Sequence, residues 1–208
     1  MALPPLAPED LKKLCSGRDY CLLVDESLSM TSPDCPGVTS RWNYAREVIG
    51  FIATKCTEYD PDTSLDLVFF GGEPRVIEGV TPATLMGQYP ARPSAGSTYL
   101  GKALDLVFRN YFSGSQTRPI TYVILTDGEA TDPKVVETAI RNAAQASGSG
   151  EQIAIAFWQV GYDAGAAKFL QRLDDDLGEI DIVDTQTMET VIDNFGNLEL
   201  LLAAAIID

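Results

Sequence analysis

The sequence predicts an α/β fold: a doubly wound, mainly parallel six-stranded sheet with one antiparallel edge strand and helices on both faces. Three observations carry this. Continuously apolar runs of strand length recur along the chain, as expected for strands covered on both sides. Amphipathic helical stretches alternate with them, the pattern of a parallel sheet. One pair of runs, "SLDLVFFGG" and "PRVIEGV", is separated by a turn too short for a helical crossover, so the second is placed antiparallel at one edge.

Taken in order, residues 1–17 are rich in Pro and Leu and read as an N-terminal extension, packed on the domain or mobile; residues 18–208 read as a single domain. The first strand is "YCLLVDE". A turn-rich loop, "MTSPDCPGVTSRW", then leads into "NYAREVIGFIATKC", whose Ala45, Val48, Ile49, Ile52 and Cys56 form one helical stripe. The edge pair follows. "YLGKALDLVFRNY" places Leu100, Ala103, Leu104, Val107, Phe108 and Tyr111 on a second stripe. "ITYVILTDG" is the fourth strand, and Asp132-Pro133 opens the helix "PKVVETAIRNAAQ". "QIAIAFWQVG" is the fifth strand, with Trp158 read as buried at its end. After the helix "AGAAKFLQRLDDDL", with Asp174 to Asp176 as its exposed end, comes the last strand "IDIVDT". The stretch "TMETVIDNFGNLELLLAAAII" reads as one terminal helix packed on the sheet.

Composition narrows the chemistry. A net charge of −15 argues against a nucleic-acid partner, because phosphate binding depends on Lys and Arg. There is no charged segment followed by an apolar run at the N-terminus, and no apolar run of membrane-spanning length, so a cytoplasmic protein with no membrane insertion is expected. The four cysteines lack metal spacing and are expected as reduced thiols; pairing of Cys15 with Cys21 or Cys35 is the alternative in an oxidising compartment. Histidine is absent, which removes Ser-His-Asp and Cys-His nucleophiles and His-ligated zinc. A metal in this chain must be held by oxygen, and oxygen ligands select hard divalent cations.

The oxygens gather in one place. In doubly wound sheets, ligands bind beyond the carboxyl ends of the strands where the winding reverses. The first strand ends in Asp25, followed by Ser27 and Ser29; the fourth ends in Asp127. The loop "RPSAGSTYLGKAL" brings Ser97 and Thr98 to the same edge. Each residue alone is explicable as a cap or a turn residue. Together they compose an oxygen shell, and a divalent cation relieves the repulsion between two nearby carboxylates.

The segments "DESLS", Thr98 in "GSTYLGKAL" and "TDGE" resemble the metal-ion-dependent adhesion site of von Willebrand factor A domains, a family with a Rossmann-like fold; the likeness runs from about Arg18 to Phe195. The resemblance implies that Ser27, Ser29 and Thr98 ligate Mg²⁺ (with Mn²⁺ or Ca²⁺ as alternatives), and that Asp25 and Asp127 act through bound waters and hydrogen bonds. It implies a protein partner that offers Asp or Glu to the metal. Glu26, Leu28, Ser97 and Glu129 form the expected rim; Leu28 stands where the family often has glycine, and Asp132 reads as a solvated neighbour.

The resulting expectation is a metal-dependent protein-binding module, not an enzyme, present as a monomer or as a subunit of a hetero-complex. One alternative is a structural subunit of an intracellular ATPase-linked or stress-response assembly. A metal-assisted phosphohydrolase is the other. It is disfavoured because Ser27 stands where haloacid dehalogenase-type enzymes carry a second Asp, and because Arg92 and Lys102 are the only cations in the three site loops.

Overall fold

A computed structural model of the chain describes residues 6–37, 39–60, 62–114, 118–148, 151–177, 181–194 and 196–207. Six strands form one sheet in the order β3-β2-β1-β4-β5-β6. Strand β1 (Asp19–Asp25) lies at the centre, parallel to β2 (Leu65–Phe70) on one side and to β4 (Ile120–Thr126) on the other. Strands β5 (Ile153–Gln159) and β6 (Val183–Gln186) extend the parallel array, and β3 (Arg75–Val80) runs antiparallel at the opposite edge. The winding therefore reverses between β1 and β4, as the sequence predicts.

The pleat of β1 explains its unbroken hydrophobicity. Tyr20, Leu22 and Val24 enter one apolar layer while Cys21 and Leu23 enter the other. The first layer is closed by α1 (Pro8–Cys15), α2 (Arg41–Tyr59), α3 (Pro82–Gln88), α7 (Met188–Asp193) and α8 (Leu198–Ile207). The second is closed by α4 (Leu100–Ser113), α5 (Pro133–Ser147) and α6 (Ala164–Asp175). Both helical stripes read from the sequence are buried in full, and Trp158 is buried at the end of β5.

Three features differ from the sequence reading. The terminal stretch is two helices, α7 and α8, and between them Asn197 N–H donates to the Asn194 carbonyl at 2.8 Å. Beyond Glu199 in its first turn, helix α8 is wholly apolar, and it buries Leu198, Leu201, Leu202 and Ile206. It can do so because the N-terminal segment forms α1 and covers it: Leu11 and Cys15 are buried and the Tyr20 hydroxyl donates to the Cys15 carbonyl at 2.6 Å. Asp174 is not merely an exposed helix end, since it accepts from the Thr185 amide at 3.1 Å. All four cysteines are free and buried, with no disulfide. Burial pushes the Cys15 thiol up to about 12 and Cys35 to about 11, disfavouring the thiolate form of both. Among the described residues no helix is long and apolar enough to cross a membrane.

Candidate functional site

The register of β1 on β4 sets the site. Val24 pairs with Leu125, the last pair between the two strands, so Asp25 at the end of β1 and Asp127 just beyond β4 come to the same edge of the sheet. Asp25 and Asp127 are 0 % and 1 % exposed, which places two carboxylates in the interior at one strand end. Asp25 is gripped on both oxygens: Oδ1 accepts the Ser27 amide at 2.8 Å and Oδ2 accepts the Thr126 hydroxyl at 2.7 Å. The first of these bonds is an Asx turn, and it swings the chain into a short 3₁₀ turn over Leu28–Thr31. Met30, fully buried, pins that turn to the core.

The turn stacks the two serine hydroxyls. Ser27 Oγ and Ser29 Oγ lie 2.8 Å apart, and Ser29 Oγ donates to Asp127 Oδ1 at 2.8 Å. Asp25, Ser27, Ser29 and Asp127 are therefore one connected oxygen cluster. The third loop is knitted alongside: Leu28 N–H donates to the Ala95 carbonyl at 2.9 Å, and Ala95 N–H donates to the Glu26 carbonyl at 2.9 Å. Thr98 follows, 8 % exposed. Its amide donates to Thr131 Oγ1 at 2.9 Å and its carbonyl accepts the Thr131 amide at 2.8 Å. Asp132 does not stand in solvent as a rim residue. Its carboxylate accepts the Gly101 and Lys102 amides at 3.0 and 3.1 Å, satisfying otherwise unpaired N–H groups in the first turn of α4.

Gly71 makes this closeness feasible. A Cβ there would overlap the Ala95 methyl and lie 3.1 Å from the Ser97 carbonyl and 3.3 Å from Glu26 Cγ. The rim divides accordingly. Leu28 is 57 % exposed and Glu129 is exposed. Glu26 is buried, its carboxylate 3.4 Å from Ser94 Oγ, and Ser97 turns its hydroxyl onto the Gly71 carbonyl at 2.9 Å.

The von Willebrand factor type A domain family matches residues 19–180. The chain belongs to that family. Among solved structures it is similar to the VWA domain of SpRpn10, at 14% identity and TM-score 0.58, covering 83% of this chain and 88% of that one. It is also similar to proximal thread matrix protein 1 of the mussel byssus (16%, TM-score 0.59, 92% of this chain and 47% of that one). The pilus adhesin SpaC of Lactobacillus rhamnosus GG, in its open conformation, aligns at 12% identity and TM-score 0.62, over 89% of this chain and 30% of that one. The chain thus spans under half of the latter two proteins, and all three likenesses concern the fold. No curated protein sequence matches the chain. Domains of this family are often protein-interaction modules and often bind a divalent metal.

In this VWA domain the site holds a cation that sequence reasoning missed. Arg41, the first residue of α2, donates from Nη1 to Asp127 Oδ2 at 2.9 Å, and from Nε and Nη2 to Asp34 at 2.9 and 2.6 Å. The sequence reading counted Arg92 and Lys102 as the only cations in the three site loops; Arg41 reaches the site from the first position of α2 instead. Arg92 is exposed, and Lys102 pairs with Glu73 at 2.7 Å. One signal was available: a basic residue is unfavourable at a helix N-terminus, so Arg41 directly after the capping Ser40 calls for a local partner.

Burial pushes the Asp25 carboxyl up to about 6, with the charge of Asp127 adding to it and the bonds from Thr126 and Ser27 opposing. Burial also raises Asp127, against the pull of Arg41 and Ser29. An acid whose folded value lies above its unfolded one stabilises the fold fully below the unfolded value, and that contribution is lost as pH rises through about 6. Without metal, the protein is expected to gain about 1 kcal/mol from Asp25 alone between pH 7 and pH 5. Urea unfolding at both pH values, with Asp25→Asn as the flattened comparison, checks this.

A second acidic group occupies the opposite pole of the VWA domain. The carboxylates of Asp19, Asp60 and Asp62 come within 4.8 Å of one another, in the wall of a cavity of about 260 Å³ at the other end of β1. Arg118 is paired with Asp19 at 3.0 Å and with Asp62.

Proposed function

We propose that this VWA domain is a metal-dependent protein-binding module, not an enzyme, in which the loops ending β1 and β4 and the loop before α4 hold Mg²⁺ (or Mn²⁺ or Ca²⁺) and present it to an Asp or Glu of a partner. The observation that carries the reading is the cluster in which Ser27 and Ser29 hydroxyls, 2.8 Å apart, join two buried carboxylates. The donors fit a hard cation, being all oxygen, and burial, which pushes both acids up, makes their ionised forms costly there unless a cation joins them.

In this reading Ser27, Ser29 and Thr98 supply neutral hydroxyl ligands. Asp25 keeps both oxygens on Ser27 N–H and Thr126 Oγ1 and acts on the ion from behind the hydroxyls. Neutral ligands leave the bound ion electrophilic, so an outside carboxylate is favoured at the remaining position. Leu28, exposed beside it, offers an apolar contact to the residue next to that carboxylate. The similarity to a pilus adhesin, although in fold alone, accords with such a role.

The test is retention of partners on the immobilised protein in Mg²⁺ against EDTA. Retention in Mg²⁺, release in EDTA and loss with Ser29→Ala are expected. Partners held equally in EDTA would favour constitutive assembly within a larger complex, and phosphatase turnover abolished by Asp25→Asn would favour a hydrolase.

A further inference from the structure

Every oxygen of the two buried carboxylates accepts a hydrogen bond: those of Asp25 from Ser27 N–H and Thr126 Oγ1, those of Asp127 from Ser29 Oγ and Arg41 Nη1. Three of those four donors are neutral groups in the loops and strand ends that form the site; the fourth is a charge delivered from α2. The guanidinium is held rigidly. Asp34 takes two of its nitrogens, and its face lies on Gly161, where a Cβ would come within 2.7 Å of Arg41 Cζ. Gly161 has φ +83°, a left-handed conformation that glycine adopts without strain, so the backbone there is shaped to leave this room. A basic residue at the first position of a helix runs against the helix dipole, a local cost that a role in the site explains.

We propose that Arg41 is a positioning residue that keeps Asp127 from ligating the cation directly, and so makes the loaded site select an anionic ligand. The inference rests on the cation reading above. With Oδ2 turned to Arg41 and Oδ1 to Ser29, the Asp127 carboxylate is held facing these donors and would act on the ion through them. The inner ligands stay neutral and the ion keeps its appetite for an outside carboxylate. With the guanidinium removed, Oδ2 is free to turn to the ion. Metal then binds more tightly, one bound water is displaced, and the outside carboxylate loses its advantage. Two affinities move in opposite directions, which a merely structural role for Arg41 does not produce.

The experiment measures Mn²⁺ binding by the loss of its free electron-spin resonance signal, and the bound water by proton relaxation, with acetate as the carboxylate probe. Wild type and Arg41→Ala are compared, with Arg41→Met as the variant that retains side-chain bulk against Gly161 should the alanine protein fail to fold. Removing one charge near a divalent ion is expected to tighten Mn²⁺ binding about tenfold. Relaxation enhancement per bound Mn²⁺ should fall, and the tightening of Mn²⁺ binding by acetate that is expected of wild type should disappear. Wild type that binds Mn²⁺, beside Arg41 variants that bind it equally or more weakly with unchanged acetate response, overturns the role of Arg41 alone. Wild type that does not bind Mn²⁺ overturns the cation reading and this inference with it.

Discussion

Magnesium at a hundred times its dissociation constant is expected to raise the unfolding free energy by about 2.7 kcal/mol. For a domain of this size that is a rise in melting temperature of roughly 5–10 °C. Manganese should act in the same sense. The gain has a local origin: two carboxylates, 0 % and 1 % exposed, sit at one strand end with a single guanidinium on one of them. A divalent ion supplies the missing counter-charge in the folded state only. Asp25→Ala should abolish the response, because it removes the acid that orients the Ser27 amide and the Thr126 hydroxyl. Ser29→Ala should abolish it too, because Ser29 is the link between Ser27 and Asp127. Melting curves measured by circular dichroism across millimolar Mg²⁺ and Mn²⁺ decide the matter, and an unmoved curve would remove the basis for a metal site here.

The parts of the fold that were legible in the sequence are those governed by a period. Strand β5 is buried at all seven positions and reads as an unbroken apolar run; α4 buries the stripe that its spacing marks out. The edge strand was legible through the shortness of its connection. The break between α7 and α8 was not, because α8 beyond Glu199 is wholly apolar and no stripe marks where it begins. Its covering helix, α1, draws its place from contact with α8, a long-range fact that Pro-rich local sequence does not encode.

The site divides along the same line. Asp25, Ser27, Ser29 and Asp127 stand at strand ends whose adjacency follows from the doubly wound order, so pattern alone brings them together. Thr98 is reached through the loop that pairs Ala95 with Ser27. Arg41 and Asp34 arrive by a different route, a loop whose path is set by tertiary contacts: Arg41 N–H donates to the Ser32 carbonyl at 3.0 Å, and the guanidinium rests on Gly161 from beyond β5. Asp132, read as a solvated acid, is a cap for a helix thirty residues earlier in the chain. Such roles depend on distant partners and leave no periodic trace.

Gly71→Ala is expected to damage the site and the fold together, while Gly72→Ala leaves both intact. Position 71 is where the end of β2 meets the two loops that carry the serines and Thr98. Its carbonyl accepts the Ser97 hydroxyl at 2.9 Å and the Tyr99 amide at 3.0 Å, so two of the third loop's anchors lie on this residue. An added Cβ would overlap the Ala95 methyl, which is attached directly to backbone and has no rotamer by which to withdraw. The loop must move outward, and Ala95 is the residue whose N–H and C=O join Glu26 and Leu28. Overpacking of this kind costs about 1–3 kcal/mol. Displacing the loop also shifts Thr98, a ligand in the proposed metal site, so the stabilisation by Mg²⁺ should shrink beyond what the lost stability alone explains. At Gly72 a Cβ would meet nothing within 4 Å, and the same substitution should stay within about 0.5 kcal/mol of wild type. Melting both variants with and without Mg²⁺ separates the cases. A Gly71→Ala protein that matches Gly72→Ala in both readings would show that the three loops do not depend on this close approach to form the site.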